Sequence, residues 1–277
     1  MGPRLIHSEE GNHMFRNATR LLLIAAGCLD VATAQHQPGF IRDYCVKAAP
    51  GKGAEVAAMM HDVTAKVMRV RIDEGHAAWW LALGSVVPAG TAARCDFHVV
   101  TGYMGFPPEA PTAEQTTAEL KKAGLNMTGA DYAAKRDSLS ILVNLDIWQA
   151  VAEVGPPLEK GQYARLNYFH VKPDQQAAWL KLETTGWEPF VESLKDSGLG
   201  WHLVTLAMPA GEYLHYNGLT VDTFPSWTAL GHGVPVDTAW PKVHPDMPFA
   251  DYISNVGRTV ERYRVDVVHV LEVVVPK

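Results

Sequence analysis

Cysteine is scarce in this chain of 277 residues, and no apolar stretch is long enough to cross a membrane. Three cysteines are too few for a disulfide-dense scaffold or for a structural zinc cluster built from cysteine alone. The apolar run Leu21 to Gly27 is far shorter than the roughly 20 residues of a membrane-spanning helix. We therefore expect a globular protein with no integral membrane span.

An excess of one charge sign is also missing. Lys and Arg number 24, Asp and Glu number 30, and the two signs are interspersed along the chain, so that the net charge is −6. A nucleic-acid interface needs a concentrated basic surface. The charge pattern therefore predicts no nucleic-acid partner.

Local metal-binding motifs are absent as well. Twelve histidines are present, but the sequence contains no HExxH and no pair of histidines one residue apart. Metal ligands could still converge from separate strands. We predict no metal site, and we expect that the protein works without a cofactor.

The N-terminal residues have the pattern of a targeting segment. A basic stretch, Met14 to Arg20, precedes the apolar run Leu21 to Gly27, and Ala32-Thr33-Ala34 then supplies small residues for cleavage. We interpret residues 1–38 as a signal peptide and disordered N-terminus. The protein is then exported to the periplasm or the extracellular space, and Met14 is an alternative start.

Cys28 adds a second possibility for this segment. Ala25-Ala26-Gly27-Cys28 resembles a bacterial lipoprotein box, so lipidation of Cys28 would leave the exported protein tethered to a membrane. In the alternative, Cys28 is removed together with the signal peptide.

Most of the remaining chain is an internal repeat. The strand-like run Phe40 to Lys47 returns as Tyr163 to His170, which begins 123 positions later (163 − 40). The turn Pro88-Ala89-Gly90 returns as Pro209-Ala210-Gly211 after 121 positions (209 − 88). An offset that drifts so little over a whole unit indicates duplication with short loop deletions.

Each copy reads strand, helix, strand, turn, strand, long connection, helix, strand, which is the order of the ferredoxin-like split βαβ unit. One sheet face of such a unit needs a partner, which the other copy can supply. We predict an α+β fold in which two tandem ferredoxin-like βαββαβ repeats form one pseudo-dimeric α+β barrel. The predicted domains are residues 39–154 and 162–277, joined by a linker at 155–161.

This organisation resembles the dimeric α+β barrel superfamily, which includes antibiotic-biosynthesis-type monooxygenases, EthD-like and NIPSNAP-like proteins and chlorite dismutases. The resemblance rests on the repeated units and covers most of the chain after residue 38. It implies the barrel fold and, in some members, small-molecule or haem chemistry. Members of one fold perform unrelated reactions, so the resemblance does not name the reaction.

Both copies contain a long stretch before the second helix that we predict to be irregular, namely Gly105 to Asn126 and Phe224 to Pro248. Loops of this length in a compact domain are usually lids or subunit contacts. The proline-rich stretches therefore make a homo-oligomer possible.

Cys45 and Cys95 are the two cysteines that lie within the repeats. They fall on the predicted first and third strands, which are neighbours in this sheet, so pairing is geometrically possible. We leave both alternatives open and favour two buried free thiols.

Histidines without an equivalent in the other copy are the best site candidates. His170 corresponds to Lys47, His202 to Trp79, and His215 to Arg94, and the second copy should therefore supply most of the site. We predict catalytic roles for His170, His202 and His215, because a neutral imidazole can act as a general base. The predicted substrate-binding residues are Tyr168, Asn217, His98 and Trp227. The alternative for each histidine is an ordinary hydrogen-bonded core or surface residue.

Three functions are compatible with these features. The first is an exported small-molecule-binding barrel, acting as a cofactor-free, monooxygenase-like enzyme on a small apolar or aromatic substrate. The second is a non-enzymatic binding or assembly module that uses the long loops. The third is a haem protein resembling chlorite dismutase, with His170 or His215 as the proximal ligand.

Overall fold

The computed structural model describes residues 39–209 and 215–277, which form a closed barrel of eight antiparallel strands flanked by helices. The predicted signal peptide, the alternative start at Met14 and the lipidation site at Cys28 lie outside the described residues. The predicted α+β barrel fold is confirmed.

The first half of the barrel contains four strands, β1 to β4, and four helices, α1 to α4. Its strands and helices are, in chain order, β1 Phe40–Ala48, α1 Gly53–Met59, α2 Ala65–Asp73, β2 Trp79–Val87, β3 Phe97–Tyr103, α3 Ala113–Lys122, α4 Gly129–Leu139 and β4 Ser140–Val154. A π-helical turn, Met60–Thr64, joins α1 to α2. Helices α3 and α4 both begin at a capping box, in which a threonine hydroxyl accepts a hydrogen bond from the third helical backbone N–H.

The second half repeats the same order with one additional helix. It consists of β5 Tyr163–Val171, α5 Gln176–Leu182, α6 Glu188–Glu192, β6 Gly200–Met208, β7 Gly218–Phe224, α7 Trp227–His232, α8 Val236–Val243, α9 Phe249–Thr259 and β8 Val260–Val274. A π-helical turn, Glu183–Trp187, joins α5 to α6 at the position equivalent to Met60–Thr64. The duplication therefore extends to the same local irregularity in both copies.

Strand order shows how the two halves close on each other. Around the barrel the order is β1-β3-β2-β8-β5-β7-β6-β4, which is unchanged when each strand is exchanged for its counterpart in the other half. The two junctions are β2 with β8 and β4 with β6, so the last strand of each half pairs with the other half. Closure removes the exposed sheet edges that two separate four-stranded sheets would have.

Apolar residues form three separate cores. One lies between the first half of the sheet and its helices and includes Trp80 and Met68. A second, rich in aromatic rings, lies between the second half and its helices and includes Trp201 and Trp240. The buried residues of the third core lie on strands and in a connection between strands, and none lies on a helix. This core is therefore inside the barrel.

Two predictions about local structure are wrong. The stretches before the second helix of each copy contain helices α3, α7 and α8. Side-chain caps begin α3 at Thr112 and α7 at Ser226, each directly after a proline. The strand predicted to run from Tyr213 begins at Gly218, so His215 and Asn217 lie in the hairpin connection that precedes it.

The preference for free thiols at Cys45 and Cys95 is also wrong. The two residues form a disulfide with a Cα–Cα distance of 5.2 Å. Cys45 lies on β1 and Cys95 precedes β3, and these strands pair with each other, which brings the two Cβ atoms within reach.

Among the residues that the structure describes, no helix is long and apolar enough to span a bilayer.

Candidate functional site

Ionisable residues lie inside the barrel where apolar side chains would be expected. Along each strand, side chains alternate between the interior and the helix-covered face. Strand neighbours of the interior core residues Ile41, Val100, Trp148 and Val268 therefore also point inward. We call the resulting set the interior polar cluster, and it consists of Asp43, His98, Asp146, Tyr168, Arg264 and Asp266.

A buried histidine–carboxylate pair is the centre of this cluster. Nδ1 of His98, which is 2% exposed, lies 3.0 Å from Oδ2 of Asp43. Burial alone would lower the pKa of His98, but the charge and hydrogen bond of Asp43 outweigh it and raise that pKa. Asp43 thus fixes the imidazole orientation and stabilises its protonated form, as a carboxylate does for a histidine that transfers protons.

Arg264 and Asp266 lie next to this pair. Nη2 of Arg264 is 2.7 Å from Oδ2 of Asp266, and the guanidinium carbon lies 4.6 Å from the ring centroid of Tyr168. Burial raises the pKa of Asp266 although Arg264 and His98 oppose the shift. Burial is also the main reason why the pKa of Tyr168 is raised well above its ordinary value. Tyr168 is therefore a neutral hydroxyl at physiological pH.

Hydrogen bonds between the two halves close one end of the barrel over the cluster. Tyr216, in the hairpin connection between β6 and β7, donates to Oδ2 of Asp146 at 2.6 Å. Arg94, in the equivalent connection of the first half, donates to the Tyr216 hydroxyl at 2.9 Å. Asn144 donates to Oδ1 of Asp146 at 2.6 Å.

Five buried polar atoms on the interior side have no hydrogen-bond partner among the described residues. Two are side-chain nitrogens that always carry a proton, Nε of Arg264 and Nε1 of Trp148. The others are Nε2 of His98, Oδ1 of Asp266 and Nε2 of His202, which shares the inward face of β6 with Val204 and Leu206. Buried polar groups are almost always paired, so these atoms are expected to pair with water or with another polar group.

The predicted site residues are only partly brought together. Tyr168 and His98 both lie in the interior polar cluster. His215 is exposed and stacks on Tyr263, with ring centroids 5.3 Å apart. His170 is half-buried near the strand end, and His202 faces Glu153, with Nδ1 3.6 Å from its carboxylate. The three histidines therefore do not meet in one site, and their catalytic roles stay predictions.

Asn217 and Trp227 have other contacts in the structure. The Asn217 side chain accepts from the backbone N–H of Val171 at 2.6 Å and donates to its carbonyl at 3.2 Å. Asp96, the equivalent residue, likewise accepts from the backbone N–H of Ala48 at 3.0 Å. This shared contact extends the sheet pairing in each half, which leaves the Asn217 amide engaged with backbone.

Trp227 is 49% exposed and packs against Tyr163, with ring centroids 5.4 Å apart. Phe106 makes the equivalent contact with Phe40 in the first half. Trp227 is therefore far more open to solvent than the buried cluster, and the structure gives it no contact with those residues.

Sequence comparison between the copies misplaced the site. His202 was aligned with Trp79, but the fully buried Trp80 and Trp201 occupy equivalent strand positions, so Leu81 is the counterpart of His202. The histidine–carboxylate pair comes from the first half, where Asp43 and His98 replace the apolar Leu166 and Leu219 of the second. An unmatched acid on the apolar strand β1 was the signal that could have identified Asp43.

Matched residues contributed to the site as well. Asp146 and Asp266 occupy equivalent positions of the two copies, so the preference for unmatched residues did not select them. Both point into the barrel and join the interior polar cluster. Duplication alone therefore does not separate structural from functional positions.

A second buried acid lies outside the barrel interior. Glu183, in the π-helical turn between α5 and α6, is 5% exposed and accepts a hydrogen bond from Nε1 of Trp179 at 3.2 Å. Burial, reinforced by the charge of Asp222, raises its pKa to about 8. Glu183 is thus mostly protonated at neutral pH and belongs to the packing between helices and sheet.

This shift predicts a loss of stability as the pH rises. An acid whose pKa is raised on folding contributes its full stabilisation of the folded state below the unfolded pKa of about 4.5. That contribution is lost as the pH rises through the folded pKa of about 8. Between pH 6 and pH 9, the free energy of unfolding of the wild type should fall by about 1–3 kcal/mol more than that of Glu183→Gln. Urea unfolding at both pH values measures the difference. Glu192→Gln, at an exposed position, is the control, and an equal pH dependence in wild type and Glu183→Gln would contradict the prediction.

A haem site at the predicted histidines does not fit the structure. His215 is exposed, and the cross-strand neighbour of His170 is the exposed Glu261, so neither lies in an apolar cleft for a macrocycle. The side chains of Trp148 and Leu166 line the barrel interior around His98, whose Nδ1 is engaged with Asp43. Among residues 39–209 and 215–277, no group of three or more His, Cys, Asp or Glu is arranged to hold a metal ion.

Comparison with known proteins identifies the fold but no family. No protein-family model and no curated protein matches the chain. A candidate monooxygenase from Lactobacillus acidophilus NCFM is similar in structure, with a TM-score of 0.54 and 10% identity over 86% of this chain and 96% of its own. The chain has the dimeric α+β barrel fold.

Two further solved structures are weaker matches. An anthrone oxidase-like protein has a TM-score of 0.49 and 11% identity over 85% of this chain and 92% of its own. A candidate DyP-type peroxidase from Shewanella oneidensis has a TM-score of 0.49 and 10% identity over 85% of this chain and 94% of its own. Similarity at this level describes architecture and does not transfer site residues.

Proposed function

We propose that this barrel is a cofactor-free enzyme, monooxygenase-like in its chemistry, that acts on a small apolar or aromatic substrate in the interior polar cluster. One observation carries the proposal: His98 is fully buried, is oriented by Asp43 through Nδ1, and keeps Nε2 without a partner among the described residues. That arrangement is what a general base requires, because the free nitrogen faces the reactant while the carboxylate holds the ring.

The residues support a simple first step. Neutral His98 accepts a proton through Nε2 from an acidic O–H or C–H group of the substrate, and Asp43 stabilises the resulting imidazolium. The guanidinium of Arg264 and the neutral hydroxyl of Tyr168 stabilise the substrate anion, as oxyanion-binding groups do. An electron-rich anion of this kind can react with dioxygen directly. The fold of the candidate monooxygenase from L. acidophilus is compatible with such chemistry.

Export is part of the same proposal. The signal-peptide pattern of residues 1–38 predicts it, and the Cys45–Cys95 disulfide supports it, because disulfides persist in oxidising compartments. Localisation in the periplasm or outside the cell, lipidation at Cys28 and a homo-oligomer formed through the proline-rich segments remain predictions.

Oxygen uptake tests the enzymatic proposal. Purified protein should be colourless and should consume dioxygen with an activated phenolic or enolic compound in the presence of a chelator. Absorption spectra with and without added haem are recorded in parallel. A Soret band that accompanies the activity, or uptake that requires added haem or metal, would replace this proposal with the haem or metal alternative.

A non-enzymatic binding module is the second candidate. It is favoured by an exposed apolar stretch at the start of β4, where Ile141, Leu142 and Val143 are 65%, 57% and 41% exposed. Exposed apolar groups of this kind often mark interaction surfaces. This candidate predicts no oxygen uptake with any such substrate and retained partner binding after substitution of His98.

A further inference from the structure

We propose that Arg42 binds the carboxylate of a small aromatic or apolar monocarboxylate on the outer, helix-bearing face of the sheet. The site lies outside the interior polar cluster, so the inference does not depend on the proposed enzymatic activity. It follows from a buried guanidinium that has no negative partner among residues 39–209 and 215–277.

Arg42 is buried without a counter-charge. The residue is 9% exposed, and its Nε has no hydrogen-bond partner among the described residues. Nη2 donates to the backbone carbonyl of Pro108, and the guanidinium carbon lies 5.4 Å from the ring centroid of Tyr103. Both of these groups are uncharged. An arginine stays protonated in proteins, and a buried charge is costly unless an opposite charge accompanies it.

The duplication shows which group is missing. Arg165 is the equivalent residue of the second half, and its cross-strand partner on β7 is Asp222. Nε and Nη2 of Arg165 both donate to Oδ2 of Asp222, at 3.0 and 2.8 Å. The cross-strand partner of Arg42 on β3 is Thr101, which carries no charge. The first half therefore keeps the arginine and lacks the carboxylate, although Arg42 is the more buried of the two arginines.

A second arginine near Tyr103 does have its counter-charge. The charges of Arg42 and Arg71 both act on the Tyr103 hydroxyl. Arg71 is paired with Glu119, with Nη2 and Oε2 2.6 Å apart. Arg42 has no such pair in the described part of the chain. The complement of this site is therefore a single negative charge, which a monocarboxylate provides.

Apolar side chains border the guanidinium on the same face of the sheet. Phe40 lies two positions before Arg42 on β1, and its ring contacts that of Phe106, with centroids 5.3 Å apart. Ile147 is the cross-strand neighbour of Arg42 on β4, and Leu145 lies two positions before it. Phe106 and Leu145 are 58% and 37% exposed.

These side chains are within reach of one small ligand. Cross-strand neighbours have Cβ atoms about 5 Å apart, and residues two apart on a strand are separated by about 7 Å. An aromatic or apolar group attached to the carboxylate covers the exposed side chains, and the burial of their surface adds to the affinity.

Three probes test the class of ligand. Benzoate carries the carboxylate and a ring, benzamide carries the ring without the charge, and acetate carries the charge without the ring. Titration calorimetry should show that benzoate binds the purified protein at least tenfold more tightly than either of the others. Equal affinities for benzoate and one of these controls, or no binding of benzoate, would overturn the inference.

Two substitutions remove the site in opposite ways. Arg42→Gln removes the guanidinium, and Thr101→Asp supplies the carboxylate that Asp222 provides in the second half. Each should raise the Kd of benzoate at least tenfold, and Thr101→Asp should also raise the Tm of the unliganded protein, because the buried charge then has a partner. Arg69→Gln is the control and should leave the Kd unchanged, since that guanidinium already faces Asp73 at 3.5 Å.

Circular dichroism verifies that the three variants are folded. Thr101→Asp tests the inference even where Arg42→Gln does not fold, because it keeps the arginine in place. Binding of benzoate to Thr101→Asp as tightly as to the wild type would overturn the inference.

An exposed acid of the same chain is the alternative source of the negative charge. Glu109 directly follows Pro108, the residue whose carbonyl accepts from Arg42. Glu109→Gln should leave the Kd of benzoate unchanged. Tighter binding of benzoate by this variant would show that Glu109 itself occupies Arg42 in solution, and the inference of a ligand site would then be wrong.

Discussion

His98→Gln is expected to lower the rate of oxygen uptake by about 10²- to 10⁴-fold, the range typical of losing a general base. Glutamine keeps a donor towards Asp43, so the buried carboxylate retains a partner, but it cannot accept a proton at the position of Nε2. The KM should change much less than kcat, because the lost interaction develops in the transition state. Rates of both proteins at saturating substrate, measured with an oxygen electrode, determine the ratio.

An exposed histidine provides the control. The side chain of His76 is 62% exposed, and it follows α2 on the outside of the barrel. His76→Gln should therefore keep the wild-type rate within a factor of about three, well below the loss expected for His98. Comparable losses in both variants would show that the effect is structural rather than catalytic.

The pH dependence of the rate provides an independent test of the same residue. A general base is active when deprotonated, so the rate rises with pH, and the charge of Asp43 places the midpoint above the ordinary histidine pKa of about 6.5. Asp43→Asn removes that charge while burial continues to disfavour the imidazolium, and the midpoint should move to lower pH. A midpoint that is identical in wild type and Asp43→Asn would exclude His98 as the titrating base.

Removal of the disulfide by Cys45→Ala with Cys95→Ala is expected to lower the free energy of unfolding by about 4 kcal/mol. The bond closes a loop with a sequence separation of 50 residues, and the loss of chain entropy in the unfolded state gives this magnitude. For a domain of this size the Tm should fall by about 10 °C. Urea and thermal unfolding of the oxidised wild type and the double variant measure both quantities.

The disulfide also connects the two segments that carry the histidine–carboxylate pair. Cys45 lies two positions after Asp43 on β1, and Cys95 lies three positions before His98, so the disulfide ties together the segments that carry the pair. Lys47 and Asp96 make a second connection across these segments, with Nζ and Oδ1 2.8 Å apart. We expect the double variant to stay folded at 25 °C. An unchanged unfolding free energy would show that the disulfide does not constrain the unfolded chain.

Most of the fold could be predicted from the sequence, because its determinants are local and occur twice. Runs such as Phe40 to Lys47 and Tyr163 to His170 are strands by composition, and the Pro-Ala-Gly turns mark both hairpins. The repeat then required two sheets to cover each other, which gives the barrel. The helices in the proline-rich stretches were not predicted, because the prolines indicated an irregular loop and the capping residues Thr112 and Ser226 were not taken as helix starts.

The site could be predicted only in part. The sequence marked Tyr168 and His98 as polar residues on apolar strands, and both lie in the interior polar cluster. Alternation along a strand says which residues share a face, but it does not say which strands are neighbours or how they are registered. The partner of His98 is Asp43, 55 positions away, and the register of β1 with β3 alone brings them together.

The sequence by itself determined that this protein has few cysteines, no long apolar segment and two copies of one α+β unit, since composition and repetition are properties of the linear chain. Only the tertiary structure decided that two of those cysteines pair and that the buried acid–base pair comes from the first copy. Pairing of β1 with β3 brings Cys45 to Cys95 and Asp43 to His98, although about 50 residues separate the partners in sequence. Closure of the barrel through β2 and β8 then adds Arg264 and Asp266 from the other half.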